Sequence, residues 1–473
     1  MNKKFYVCIM FVSVMIVFTS CLGTNDENVY YNDTAITAFT LGTLDRTAHT
    51  TSYTGGDSTY STTVTGSNYK MYIDQVNRKI YNLDSLPYGT DIKHVLVTIT
   101  TKNGGVAAIK NVKSDTLSYY SSSDSIDFTT PRTFFVYSND GTAYCKYVAS
   151  VGAHKEEADS FHWDSLSVSS ELAALKSMKA VYCNGRIFVM GDNGDGHQMI
   201  YSTGEKDGNT WKSFMPNFNG SIQSDASLVT DNSKLYLLNN TELMTSTDGD
   251  EWNVVASTNM KKLVGVGAAE MYALNTDNKL AVSKDNGVTW NVDPTADDAT
   301  FLPTQDISCV SKNSITNSKT YRITLIGNRS VADYPADTTA VVWSKLVEYS
   351  EGAQSEAWTY QDFAPDNLYL PYRQYNFTAT KYGDGIVALG GKGIGACTKT
   401  AFNHLYYSED GGITWHNDTN IKLPTKFSSS ATSFALTSDS GNYLWIICGS
   451  TGQVWRGRQH KVGWSDNNKV VTQ

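Results

Sequence analysis

Three short stretches limit what this chain can fold into. Ser408-Glu409-Asp410-Gly411-Gly412-Ile413-Thr414-Trp415 and Ser283-Lys284-Asp285-Asn286-Gly287-Val288-Thr289-Trp290 are near copies, and Ser246-Thr247-Asp248-Gly249-Asp250-Glu251-Trp252 is a shortened form. Each follows an apolar, tyrosine-rich run. Ser and Asp side chains bond their own backbone a few residues on, and Gly accepts positive φ without a steric penalty. Thr then re-enters an extended strand, and Trp inserts its ring between neighbouring sheets. A hairpin with a built-in wedge, repeated, requires small sheets set side by side. The polar atoms of Ser246, Asp248, Ser283, Asp285, Thr289, Ser408, Asp410 and Thr414 are consumed in holding these turns. With Gly287 and Gly412, and the wedges Trp252, Trp290 and Trp415, they are expected to be structural.

The repeat extends beyond these turns. Trp211, Trp252, Trp290, Trp358 and Trp415 are each preceded by a strand pair: Lys179–Val189, Ser227–Leu238, Leu263–Ala273, Tyr321–Ile326 and Asn376–Leu389. Four strands in about 40 residues make a propeller blade, which predicts five blades, the last two enlarged by insertions. A sixth begins with Ser433–Thr437, Tyr443–Cys448 and Gln453–Arg458, after which no further turn of this kind follows. Ahead of the first full blade, Phe161-His162-Trp163-Asp164-Ser165-Leu166 is an orphan strand. A ring must remove its open edges, so strand 161–166 is expected to complete the sixth blade, with Trp163 as its wedge. The fold class is therefore all-β, a six-bladed β-propeller over residues 160–465.

The repeated octapeptide resembles the Asp-box of sialidases and related propellers, which implies that the turns lie on the face opposite the ligand-handling centre. Leu370-Pro371-Tyr372-Arg373-Gln374-Tyr375, Gly383 and Ile386-Val387-Ala388-Leu389-Gly390-Gly391 together are similar to a kelch repeat.

Upstream, residues 33–152 hold alternating runs bounded by Asn, Asp, Gly or Pro, among them Ala35–Leu41, Tyr69–Asp74, His94–Thr100, Arg132–Tyr137 and Tyr144–Val151. About seven strands suit a small sandwich. The order from Asp127-Phe128 to Ser150 resembles immunoglobulin-like modules of surface lipoproteins, which implies a spacer. Residues 171–179 are the one plausible helical piece. Residues 1–20 read as an export signal: Lys3 and Lys4 precede an uncharged run, and Thr19-Ser20-Cys21 places small residues before a cysteine. This resembles a lipobox and implies acylation of Cys21, a tether over 21–32, and an outer-membrane lipoprotein facing the periplasm or the surface. As a whole the chain resembles a family of bacterial lipoproteins that join an immunoglobulin-like module to a six-bladed propeller.

A net charge of -9 with only 18% charged residues argues against a nucleic-acid partner. The remaining cysteines are odd in number and irregularly spaced, so no disulfide framework is expected, and without C-x-x-C no zinc site is either. No cofactor, metal or catalytic residue is assigned. A sialidase would need three converging arginines and a Tyr–Glu nucleophile; Arg186-Ile187-Phe188 and Tyr321-Arg322-Ile323 are the nearest partial matches to its first arginine motif. The connection carrying Tyr369, Tyr372, Arg373 and Tyr375 sits on the face opposite the Asp-box turns, with a composition suited to sugar rings or peptide side chains. Three readings follow: a lipid-anchored envelope protein binding a glycan or protein there, a propeller glycoside hydrolase, or a structural subunit of a surface complex. The first is preferred, since the repeated residues serve the fold.

Overall fold

In the computed structural model, the described residues are 30–51, 57–158, 160–214, 216–218, 220–314, 317–349, 355–363, 371–417 and 421–459. Cys21 and Tyr369 lie outside them. Two compact units divide near residue 157.

The first unit is all-β. Met71–Asp74, Lys79–Asn82, Tyr144–Ser150, Arg132–Tyr137, Val106–Lys110 and Leu117–Tyr119 form one six-stranded sheet in that spatial order. Ile36–Leu41 pairs with Val97–Thr101, and Thr43–Thr51 with Asp57–Thr65, as separate ribbons. Alternation sends Ile36, Phe39, Phe134, Val136, Tyr147 and Ala149 into one core. Among the described residues ten strands appear here, against an expected seven or so, because several are short ribbons. Tyr144–Ser150 also runs parallel to Lys79–Asn82.

The second unit is a β-propeller domain. Its described residues form six antiparallel sheets of four strands in chain order, except that the one opened by Ser177–Cys183 adds Ile222–Gln223 beside its third strand and the last takes its outer strand from upstream. Their innermost strands are Ser177–Cys183, Ser227–Thr230, Met260–Val266, Gln305–Asn313, Thr378–Tyr382 and Phe434–Ser438. Each packs against the next, and Phe434–Ser438 packs against Ser177–Cys183. The sheets are numbered first to sixth in this order. The outer strand of the sixth is Phe161–Ser165, antiparallel to Val454–Gln459 with Trp163 opposite Gly457. A Cβ on Gly457 would collide with the Trp163 ring, so the glycine lets the indole lie flat on the strand. Trp163 Nε1 donates to the Lys422 carbonyl at 2.7 Å, and the ring packs in the apolar cluster shared by the fifth and sixth sheets.

The S-x-D turns join third and fourth strands. In the fifth sheet Ser408 Oγ donates to Asp410 (3.0 Å) and accepts from Gly412 N–H (2.8 Å). Asp410 in turn accepts from Thr414 N–H (2.9 Å) and Thr414 Oγ1 (2.7 Å). Trp415 Nε1 donates to the Gly412 carbonyl at 3.0 Å. The third sheet repeats this set at Ser283, Asp285, Gly287, Thr289 and Trp290. The second repeats its core at Ser246, Asp248, Gly249 and Trp252. Gly412, at φ 97, presses on Thr324 and Val342 of the fourth sheet, so the turn both closes a hairpin and wedges against the preceding sheet.

One local expectation is corrected. The helix covers only Ser170–Ala174, capped by Ser169, whose side chain accepts from Leu172 N–H. It does not reach Lys179: the Lys176 N–H goes to the Asp192 carbonyl, and Ser177 opens the innermost strand of the first sheet. Burying Met178 and Ala180 in the sheet outweighs the helical propensity of the Leu-Ala-Ala-Leu run.

Candidate ligand-binding face

Strand alternation fixes which segments share an end of the propeller. The S-x-D turns and the turns between first and second strands lie at one end. The turns between second and third strands, and the connections between sheets, lie at the other. The longest insertions, 329–340 and 390–405, fall at this second end, over the fourth and fifth sheets.

Here the structure corrects the expectation for Arg373. Its side chain is wholly buried (0% exposed). Nη1 donates to the carbonyls of Tyr334 (2.5 Å) and Asp337 (3.4 Å), and Nη2 to that of Arg329 (2.6 Å). Arg373 is a strut that shapes loop 329–340 from within. Asp337 in turn takes a two-pronged bond from Arg329 (2.8 and 2.7 Å), whose guanidinium stacks 3.7 Å over Tyr334. The neighbour Gln374, also buried, donates to the carbonyls of Gly391 and Thr400 and accepts from Tyr406 OH. This accounts for the double glycine: a Cβ on Gly390 would strike Gln374, and one on Gly391 the Ala431 carbonyl. Tyr372 is half-buried beneath the Lys399 ammonium, 4.0 Å from its ring centre. Tyr375 is 38% exposed and is the one described tyrosine of the set open to a ligand.

The partial arginine matches sit elsewhere. Arg186 and Arg322 open second strands and therefore lie at the S-x-D end; Arg322 runs against Gly411 of the fifth sheet's turn. Arg186 donates to Ser202 Oγ and Arg322 to Ser344 Oγ, each inside its own sheet. Neither reaches the end that carries the long loops.

Two features of that end were not foreseen. The first lies on the axis. Lys179 is the third residue of the first sheet's innermost strand and Lys262 the third residue of the third sheet's, so both stand near where those strands enter from the connection end. Burial pushes the Lys179 ammonium down to about 8, with Lys262 adding to the depression and Cys309 opposing it. Burial likewise lowers Lys262, partly offset by Asp306. Burial pushes the Cys309 thiol up to about 12. Asp306, at φ 50, accepts from Asn328 Nδ2 (2.9 Å) and Asn376 N–H (3.1 Å), while burial raises its carboxyl. In sequence Lys179 and Lys262 look like ordinary strand lysines, since nothing local marks their burial.

The second is a cavity of about 310 Å³ where the connection after the first sheet passes the Asn239–Glu242 turn of the second. Phe218, Ser221, Gln223, Asn239, Asn240 and Glu242 line it. Asn239 accepts from Gln223 N–H (2.9 Å) and donates to the Ser221 carbonyl, fixing the floor, whereas Asn240 and Glu242 are exposed at the rim. The lining offers amides, hydroxyls, one carboxylate and one aromatic ring. Among the described residues no three His, Cys, Asp or Glu side chains come together as a metal site, and no helix is long and apolar enough to cross a membrane.

Residues 157–467 match the DUF6242 beta propeller domain, and residues 39–151 the DUF6242 N-terminal domain. No curated protein matches the chain. Among solved structures, it is similar to AofleA from Arthrobotrys oligospora, with TM-score 0.38 and 13% identity over 64% of this chain and 87% of that one. It is also similar to an α-L-arabinanase of Penicillium chrysogenum complexed with arabinobiose, with TM-score 0.37 and 13% identity over 62% and 95%. A mutant Trypanosoma rangeli sialidase displaying trans-sialidase activity gives TM-score 0.35 and 10% identity over 61% and 54%. The chain belongs to the DUF6242 family.

Proposed function

We propose that this DUF6242 member is a lipid-anchored cell-envelope protein whose six-bladed propeller captures a glycan at the end opposite its S-x-D turns. Acylated Cys21 holds it to the outer membrane, and the N-terminal unit is an immunoglobulin-like spacer. The observation that carries the reading is the polar cavity beside Gln223. Side-chain amides donate and accept at once, which suits the paired hydroxyls of a pyranose, and Phe218 supplies an apolar face for its C–H groups. A cavity of about 310 Å³ is within the range of small-ligand sites. At the opposite end the polar atoms of the turns are already spent on their own backbone. Arg186 and Arg322, bonded within their sheets at that end, disfavour a sialidase-like arginine cluster.

The test is glycan-array binding by the purified full chain, with Gln223→Ala and Asn240→Ala as variants and Asp285→Ala as a control at the far end. Binding lost in the first two and kept in the third supports the reading. No glycan bound, or binding indifferent to the cavity variants, overturns it. Release of reducing sugar would identify a hydrolase instead.

A further inference from the structure

We propose that the cavity beside Gln223 selects sugars bearing a free amino group, with the Glu242 carboxylate receiving the ammonium. This rests on the glycan-capture reading and narrows it to one ligand class. Most donors around the cavity are already engaged. Gln223 Nε2 donates to the Ser221 carbonyl (3.1 Å) and to Ser221 Oγ (3.3 Å). A carbonyl only accepts, so this contact fixes which way round the Gln223 amide sits and leaves its Oε1 facing no donor. The Asn239 amide is engaged at both ends, by Gln223 N–H (2.9 Å) and by the same Ser221 carbonyl (3.2 Å). Ser221 Oγ is also bonded to His197 Nδ1 at 2.8 Å. The side chains of Asn240, Thr241 and Glu242 make no hydrogen bond or ion pair with any described residue. Unengaged donors are therefore confined to Asn240 and Thr241, whereas those two, Gln223 Oε1 and the Glu242 carboxylate can all accept. Glu242 opens the strand Glu242–Ser246 and is the one charged side chain among the described residues that line the cavity. A negative site short of donors favours a ligand that brings donors and positive charge, and an ammonium offers three N–H groups and no acceptor. Its bond to a carboxylate is charge-assisted. A uronic or sialic acid would instead set a second carboxylate beside Glu242 with no lining cation to offset the repulsion.

Isothermal titration calorimetry of the purified full chain with chitosan tetraose, N-acetylated chitotetraose and cellotetraose tests this. The three share one β-1,4-linked gluco-configured backbone and differ only at C2, in amine, acetamide and hydroxyl. In slightly acidic, low-salt buffer the amine is an ammonium, and chitosan tetraose should bind about five- to tenfold more tightly than cellotetraose. Glu242→Gln should bring that ratio close to one. Glu251→Gln, at the S-x-D end, should leave the ratio unchanged, which separates Glu242 from the general pull of a chain with net charge -9. Tryptophan fluorescence in urea identifies folded variants. A parent chain that binds cellotetraose or chitotetraose as tightly as chitosan tetraose would overturn the inference. So would a preference that survives Glu242→Gln, or one lost equally in Glu251→Gln. Binding of none of the three also overturns it, and a positive glycan array beside that result would leave glycan capture standing.

Discussion

Lys345→Met is the sharpest test of how the third and fourth sheets are held together. The Lys345 side chain is 1% exposed, with Nζ 2.8 Å from Asp293 and 3.2 Å from Glu270, both nearly as buried. The ammonium also lies over the rings of Tyr272 (4.8 Å) and Trp358 (5.2 Å). Tyr272 OH and Ser355 Oγ donate to Glu270, and Trp358 Nε1 donates to Asp293 at 2.6 Å, so the cluster is closely satisfied. Burial pushes the Glu270 carboxyl up, but the Tyr272 hydrogen bond and Lys345 outweigh it and the net direction is down. Removing the ammonium leaves two buried carboxylates with only the largely exposed Lys284 near Glu270. Breaking a buried ion pair in this way costs about 3–5 kcal/mol. With a urea slope of about 3 kcal/mol/M or more for a unit this large, the midpoint should fall by about 1 M. All ten tryptophans lie from Trp163 onward, so their fluorescence reports on the propeller unit without the N-terminal one. The triple variant Lys345→Met/Glu270→Gln/Asp293→Asn removes the stranded charges and should recover much of the loss. A Lys345→Met midpoint within about 0.2 M of the parent would refute the reasoning. A triple variant no more stable than the single would assign the loss to packing.

Arg373→Met should destabilise the propeller by about 2–4 kcal/mol, since it leaves partly buried carbonyls of Arg329, Tyr334 and Asp337 without their guanidinium donor; urea unfolding checks this, and an unchanged midpoint would remove Arg373 from its role as a strut. Thr289's hydrogen bonds hold the Asp285 carboxyl down at about 2, below the roughly 3.9 of an unfolded aspartate, so its contribution is complete above about pH 4 and lost as pH falls towards 2. Asp285→Asn should flatten acid unfolding across that window, and an identical acid profile would count against the turn. Gly457→Val drives a side chain into the Trp163 ring and should cost about 1–3 kcal/mol by urea unfolding; no loss would mean that Phe161–Ser165 contributes nothing to holding the sixth sheet.

The two ends of the propeller differ in how much of them could be read from sequence, and the reason is the range of the interactions. At the S-x-D end every bond of the motif runs within eight residues, from Ser408 to Trp415, so the residue types in order announce the turn. The all-β propeller domain follows, because such a wedge needs a neighbouring sheet, as Gly412 finds in Thr324 and Val342. At the other end the decisive partners are far apart in sequence. Arg373 looks like a ligand contact beside Tyr372 and Tyr375, yet its three acceptors are carbonyls of a loop some forty residues upstream. Lys179 reads as the polar member of an alternating strand, yet burial among the sheets lowers its ammonium's pKa, with a smaller contribution from Lys262 on another sheet. The helix over-run at residues 175–179 has the same origin, since the Asp192 carbonyl that claims Lys176 N–H is invisible to local propensity.

On the proposed glycan-binding reading, this asymmetry bears on how such a chain could change its ligand. The S-x-D end is bound to its own backbone, so substitution there is paid in stability, as Asp285 and Asp410 illustrate. Connections at the opposite end are longer; Arg373 and Gln374 brace those of the fourth and fifth sheets beside the exposed Tyr375, and Asn239 holds the floor beneath the exposed Asn240 and Glu242. Changing those exposed residues should alter binding while leaving stability within about 0.5 kcal/mol, as surface substitutions generally do. Changing the buried braces should do the reverse. A Tyr375→Ala variant that unfolds earlier in urea by more than that amount would show that exposed loop and buried support are not separable.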